Sequence, residues 1–99
     1  MSDQYILNGK KPIRCNSIDK WAKWFGSSDR LVKKSTHGDA VVSTVFLGLD
    51  HGIGGQGTKP LLFETMVFGG KYDEECERYT TWDEAVEGHK NMVKKVKLA

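Results

Sequence analysis

The chain has 99 residues, 38% hydrophobic and 28% charged, with 15 basic against 13 acidic side chains and a net charge of +2. That is the composition of one soluble globular domain, residues 1–99, large enough for one modest core. The charge balance argues against a dedicated nucleic-acid binder, which carries a clear basic excess, and no run approaches the roughly 18 apolar residues of a membrane span.

The opening "MSDQYILNGKKPIRC" lacks the apolar stretch of a signal peptide, so the expected location is the cytoplasm. In it, "YIL" and "PIR" flank Asn8-Gly9, a turn signal that predicts a short hairpin. Ser17 or Asn16 can cap a following helix, in which Ile18, Trp21, Ala22 and Phe25 fall at i, i+3, i+4 and i+7 and Gly26 closes the element. Trp24 lies off that stripe and is expected to pack on a neighbouring element or line a pocket. Residues 30–36 and 40–47 flank "HGD" and read as a second hairpin, its second arm rich in Val, Thr and Phe.

After a glycine-rich stretch, "LLFETMVF" predicts a strand ended by Gly69-Gly70, and "CERYT" a further one. The last element opens with the capping box Thr81-Trp82-Asp83-Glu84 and closes with Lys94, Lys95 and Lys97. Acids at its start and bases at its end both suit the helix dipole, and a helix over about 82–97 is expected. Its apolar face is Trp82, Ala85, Val86, His89, Val93 and Val96. The order β-β-α-β-β-β-β-α predicts an α+β fold: an antiparallel sheet of about four strands plus an N-terminal hairpin, with two helices packed on the sheet.

The glycine stretch "GIGGQGTK" nearly matches the P-loop pattern, with lysine and threonine exchanged. A P-loop must run into a helix whose N-terminal amides hold phosphate, whereas this one runs into Pro60 and a strand. What remains is a loop whose backbone amides could meet an anion, or a plain connection. Asp50 and His51 stand at its mouth. Glu64 interrupts an apolar strand, where a buried carboxylate needs a partner, and Arg30, Lys33 or Arg78 could supply one. Structural pairing or ligand and acid–base work are the two roles open to it.

His89, on an apolar helix face, reads as a core histidine rather than a metal ligand, and His37 as a solvated turn residue. No cysteine–histidine spacing suggests zinc, Cys15 and Cys76 are expected as unpaired thiols, and neither metal nor cofactor is expected. The lysines of "KNMVKKVKLA" read as a solvated helix end.

The segments "WAKWF…DRLV", "VSTVFLGLDH", "PLLFETMVFGG" and "ERYTTWDEAVEGH" together resemble a family of small bacteriophage and prophage proteins of uncharacterised activity, over about Trp21 to His89. "STVFLGLDH" and "LLFETM" are the most specific parts. The chain departs from the family after Phe25, where an acid often follows and "GSSDR" stands here. The resemblance implies an accessory phage protein made in the bacterial host cytoplasm, and by analogy one that acts against host defence. The expected function is then capture of a small anionic ligand such as a nucleotide-derived signal. Trp24, Phe46 and Phe63 would stack a base and Arg30 would meet phosphate, with Thr44, Asp50, His51, Glu64 and Arg78 completing the candidate ligand-binding set. The alternatives are a protein–protein inhibitor of a host defence protein, and a small hydrolase using Asp50, His51 and Glu64. A homo-oligomer is expected, because 99 residues leave little room for a deep pocket in one subunit.

Overall fold

The structure is a computed structural model, and residues 3–51 and 59–98 are described. The glycines from 52 to 57 therefore lie outside the described residues. The elements run β1 (Tyr5–Asn8), β2 (Lys11–Arg14), α1 (Ile18–Ser27), β3 (Leu31–His37), β4 (Ala40–Phe46), β5 (Phe63–Phe68), β6 (Cys76–Tyr79) and α2 (Trp82–Lys97). The fold is α+β in the expected order: an antiparallel hairpin β1-β2, and an antiparallel four-stranded sheet β3-β4-β5-β6.

Strand alternation divides the sheet into two unlike faces. Ala40, Val42, Thr44 and Phe46 of β4 and Phe63, Thr65 and Val67 of β5 are buried, while the residues between them are not. The buried face is covered by α2, which touches all four strands. Its own buried residues, Ala85, Gly88, His89, Met92 and Val96, recur at helical spacing. The core has two parts, one around Val42, Val67, Met92 and Val96, the other around Phe46, Leu62, Phe63 and Ala85. Phe46 and Phe63 are fully buried, which stabilises the fold by about 1.5–3 kcal/mol each.

Register at β3 decides what faces the helix. Leu31 pairs with Val45, yet Lys33 pairs with Thr44, so β3 carries one extra residue at a bulge. Val32 thereby packs on the second core part, while Lys33, Ser35 and His37 stand opposite Thr44, Val42 and Ala40 on the α2 side.

Helix α1 departs from the expected stripe. It continues through Gly26 to Ser27, and the Ser28 N–H caps it on the Trp24 carbonyl. Ile18 is 66% exposed and Ala22 is exposed too. The inward residues are Trp21, Trp24 and Phe25. Trp24 meets Phe46 edge-on, with ring centroids 5.7 Å apart. The Trp21 indole N–H reaches the carbonyls of Tyr5 and Gly48, each at 3.1 Å. A large ring with a core partner buries more apolar area than Ile18 could, and this rotates the helix by about one position. No helix of the described residues is long and apolar enough to cross a membrane.

Candidate functional site

The residues singled out from the sequence have distinct surroundings. Glu64 and Arg78 are brought together as directly paired cross-strand residues, with Arg78 Nε 2.9 Å from Glu64 Oε2. Glu64 is mostly buried and its partner half exposed, on the sheet face away from α2. The carboxylate in the apolar strand thus has its counter-charge from the adjacent strand. Arg30 lies over the Phe25 ring, its guanidinium carbon 3.8 Å from the centroid, and Trp24 belongs to the core wall.

Asp50 and His51 tie the segment before the glycine stretch to Leu61 after it. Asp50 Oδ1 accepts from the Leu61 N–H at 2.9 Å, and the His51 N–H donates to the Leu61 carbonyl at 3.0 Å. The His51 side chain is exposed. Thr44 has a different place: it is fully buried beneath α2, where it joins a polar chain.

That chain crosses the sheet. Ser35 Oγ on β3 lies 2.8 Å from His89 Nε2 on α2, and His89 Nδ1 lies 2.7 Å from Thr44 Oγ1 on β4. Thr44 Oγ1 lies 2.5 Å from Thr65 Oγ1 on β5. On β6 the Tyr79 hydroxyl lies 3.5 Å from Glu77 Oε2. Each hydroxyl here can donate or accept, and a neutral imidazole has one N–H and one acceptor nitrogen. The Tyr79 hydroxyl donates to Glu77, and either threonine can donate to the other. Both neutral tautomers of His89 fit these contacts: one ring nitrogen donates and the other accepts, from Ser35 in one case and from Thr44 in the other.

The Ser35 end of the chain opens into a groove of about 250 Å³ between β3 and α2. Its lining is Ser35, His89 and Val93 with four lysines, Lys33, Lys90, Lys94 and Lys97, and it includes no carboxylate among the described residues. The spacing of Lys90, Lys94 and Lys97 at i, i+4 and i+7 sets them on one stripe of α2. The bulge in β3 sets Lys33 against that stripe. Lys95, on the helix flank toward β6, is paired with Glu75 instead. The ion pairs found among the described residues, Arg14–Asp3, Arg78–Glu64 and Lys95–Glu75, all lie outside the groove. Like charges gathered at one opening repel by a few tenths of a kcal/mol per helical pair, an arrangement that an anion would relieve.

His89 is 1% exposed. Burial holds its imidazole below the ordinary histidine value, with repulsion from Lys33 adding to the effect. A serine hydroxyl on a neutral imidazole resembles an activated nucleophile, but the third member here is a threonine. A threonine hydroxyl orients the ring without compensating an imidazolium charge, as a carboxylate would. The arrangement is suited to holding an anion more than to turning one over.

A wider depression of about 430 Å³ lies between the β1-β2 hairpin and the start of α2, lined by Lys10, Lys11, Trp82 and Asp83 among others. There the capping box engages the Thr81 and Glu84 amides, Asp83 brings a carboxylate to the lining, and the Lys10 ammonium sits 5.9 Å from the Trp82 ring centre. The β3–α2 groove therefore has the stronger claim to an anion.

Sequence reasoning read the α2 lysines as a solvated end and missed this groove. The i, i+4, i+7 lysine stripe beginning one residue after a core histidine was the available signal. What it lacked was the partner strand, since Lys33 and Ser35 are more than fifty residues away. Comparison of the chain with protein-family models, with curated proteins and with solved structures gives no match.

Proposed function

We propose that the protein binds a small, multiply charged anion in the β3–α2 groove. In the phage setting that the sequence resemblance implies, the ligand is a nucleotide-derived signal held away from host defence. The observation that supports this most is the lining itself: four lysines around a serine hydroxyl and a histidine ring, with no carboxylate among the described lining residues. The volume of about 250 Å³ suits the phosphorylated part of a nucleotide. The base would then rest on Val93 and the lysine stems rather than on Trp24 or Phe63, which belong to the core.

Thermal shift of the full chain against pyrophosphate, mononucleotides, cyclic dinucleotides and ADP-ribose derivatives tests the reading. A shift that Lys90→Glu and Lys94→Glu remove is the expected result. No shift with any of them, or one that survives both substitutions, would sink it.

A second reading has its own observation. The sheet face away from α2 carries Val41, Val45 and Met66, with Leu31 and Phe68 43% and 51% exposed. This face would serve self-association into the expected homo-oligomer, or contact with a host defence protein. Sedimentation of the wild type and Phe68→Ser separates the two: a dimer that the substitution dissociates supports self-association. A monomer that captures a stoichiometric host protein supports the other.

A further inference from the structure

Two features of the groove limit what it can recognise, given that it is the binding site: the shape of its charge, and the kinds of side chain it lacks. Lys90, Lys94 and Lys97 stand along the axis of α2, and seven residues of helix rise about 10 Å. Lys33 of β3 adds a charge from across the groove. This is a row of charge and not a ring around one point. A single phosphate group is too short to reach from the Lys90 end to the Lys97 end, so it leaves part of the row unneutralised. A chain of linked phosphates can lie along the row and meet every lysine. Ser35 adds a donor close to the Lys90 end, beside His89. When His89 Nε2 carries the ring proton it donates to Ser35 Oγ, 2.8 Å away, and the Ser35 hydrogen is left to the groove. Thr44, 2.7 Å from Nδ1, then donates to the ring, so Ser35 can serve an anion with no change in charge.

What the lining lacks is a reader for a base. Bases are recognised by stacking on Trp, Tyr, Phe or Arg, and by amide or carboxylate side chains that match their edges. None of these is among the described lining residues. The ring that is present, His89, is 1% exposed with both nitrogens engaged, so it offers no face to stack on. Val93 and the lysine stems can carry apolar surface but no hydrogen-bonding pattern. We propose that the groove is specific for a linear oligophosphate chain, a triphosphate or longer, and is indifferent to any base attached to it. Charge agrees with this class, since a triphosphate chain and the four lysines are nearly equal and opposite. A nucleic-acid strand instead separates its phosphates by sugars and bases, for which a groove of about 250 Å³ without a stacking ring makes no provision.

The proposal rests on the groove reading above and names the ligand class of that site. Calorimetry of the full chain separates the two, at fixed salt and without divalent cations. The probes are pyrophosphate, tripolyphosphate, ATP, GTP, CTP and oligothymidylate. The expected result is tripolyphosphate binding at least about threefold tighter than pyrophosphate, with ATP, GTP and CTP alike within about that factor. Lys97→Gln, at the exposed far end of the row, should bring tripolyphosphate down to the pyrophosphate affinity and leave pyrophosphate unchanged. Ser35→Ala should weaken both by about tenfold. ATP bound about as tightly as tripolyphosphate identifies nucleoside triphosphates as the source, and binding confined to the free chain identifies inorganic polyphosphate; either supports the proposal. A preference above about tenfold among the three nucleotides, or pyrophosphate bound as tightly as tripolyphosphate, overturns it and leaves the groove reading standing. Oligothymidylate bound more tightly than tripolyphosphate, or no binding by any probe, overturns both.

Discussion

His89 combines almost complete burial with two hydrogen bonds, and its ring is held neutral by loss of hydration and by Lys33. The unfolded chain carries the same histidine near its ordinary value of about 6.5. Between the lowered native value and that value the unfolded state binds more protons, so stability is full above about pH 6.5 and falls as pH drops through the native value. Chemical denaturation of the ligand-free chain at stepped pH should show this loss, and His89→Gln should flatten it. Gly88, one residue earlier, has another role. A Cβ there would collide with the Tyr79 ring, so the glycine lets β6 close against α2. Gly88→Ala gains up to about 1 kcal/mol of helix propensity. It should nevertheless lower the melting temperature, because displacing a packed ring costs about 1–3 kcal/mol. An unchanged or raised melting temperature would show that Tyr79 yields freely.

Helix α2 holds a conflict between stability and binding. Its N-terminus is well made, with Thr81 Oγ1 accepting from the Glu84 N–H at 3.1 Å and Glu84 returning to the Thr81 N–H at 3.1 Å. Thr81→Ala should cost about 1 kcal/mol in denaturant unfolding without altering anion affinity. Its second half sets Lys90, Lys94 and Lys97 on one stripe, which weakens the helix. Lys90→Glu gains a favourable i, i+4 pair with Lys94 but sets a second acid three residues after Glu87, so it should leave the stability of the free protein nearly unchanged while reducing anion binding. A variant both less stable and still binding would show that the stripe serves the fold and not a ligand.

At the scale of the whole molecule, the sheet separates two surfaces. One is closed by α2 and leaves the lysine groove at its β3 border; the other is open and bears Leu31, Val41, Val45, Met66 and Phe68 beside the Glu64–Arg78 pair. Binding in the groove depends on summed lysine charge, so anion affinity should fall steeply as salt shortens the screening length from about 10 Å at 0.1 M toward 3 Å at 1 M. Self-association through the open face is apolar and should persist or strengthen over the same range. Affinity and sedimentation measured along one salt series would therefore move in opposite directions, and parallel behaviour would place both at one surface.

Local chemistry was enough to read the elements. The Asn8-Gly9 turn, the Ser17 cap, the Thr81–Glu84 box and the alternation of β4 and β5 each act within a few residues, so the sequence alone determined the order and class of the fold. It also limited the glycine stretch, since Pro60 and β5 follow it where a phosphate loop needs a helix. His89 was legible as a core histidine, but its partners were not. The inward turn of Trp24 was settled by Phe46, and the Glu64–Arg78 pair by the register of β5 on β6. The groove needed most of all: a one-residue bulge in β3 that turns Lys33 and Ser35 toward a helix more than fifty residues later. Register and helix docking are non-local, since a single shifted residue exchanges the faces of a strand. Only the tertiary structure decided that four lysines, a serine and a histidine share one opening.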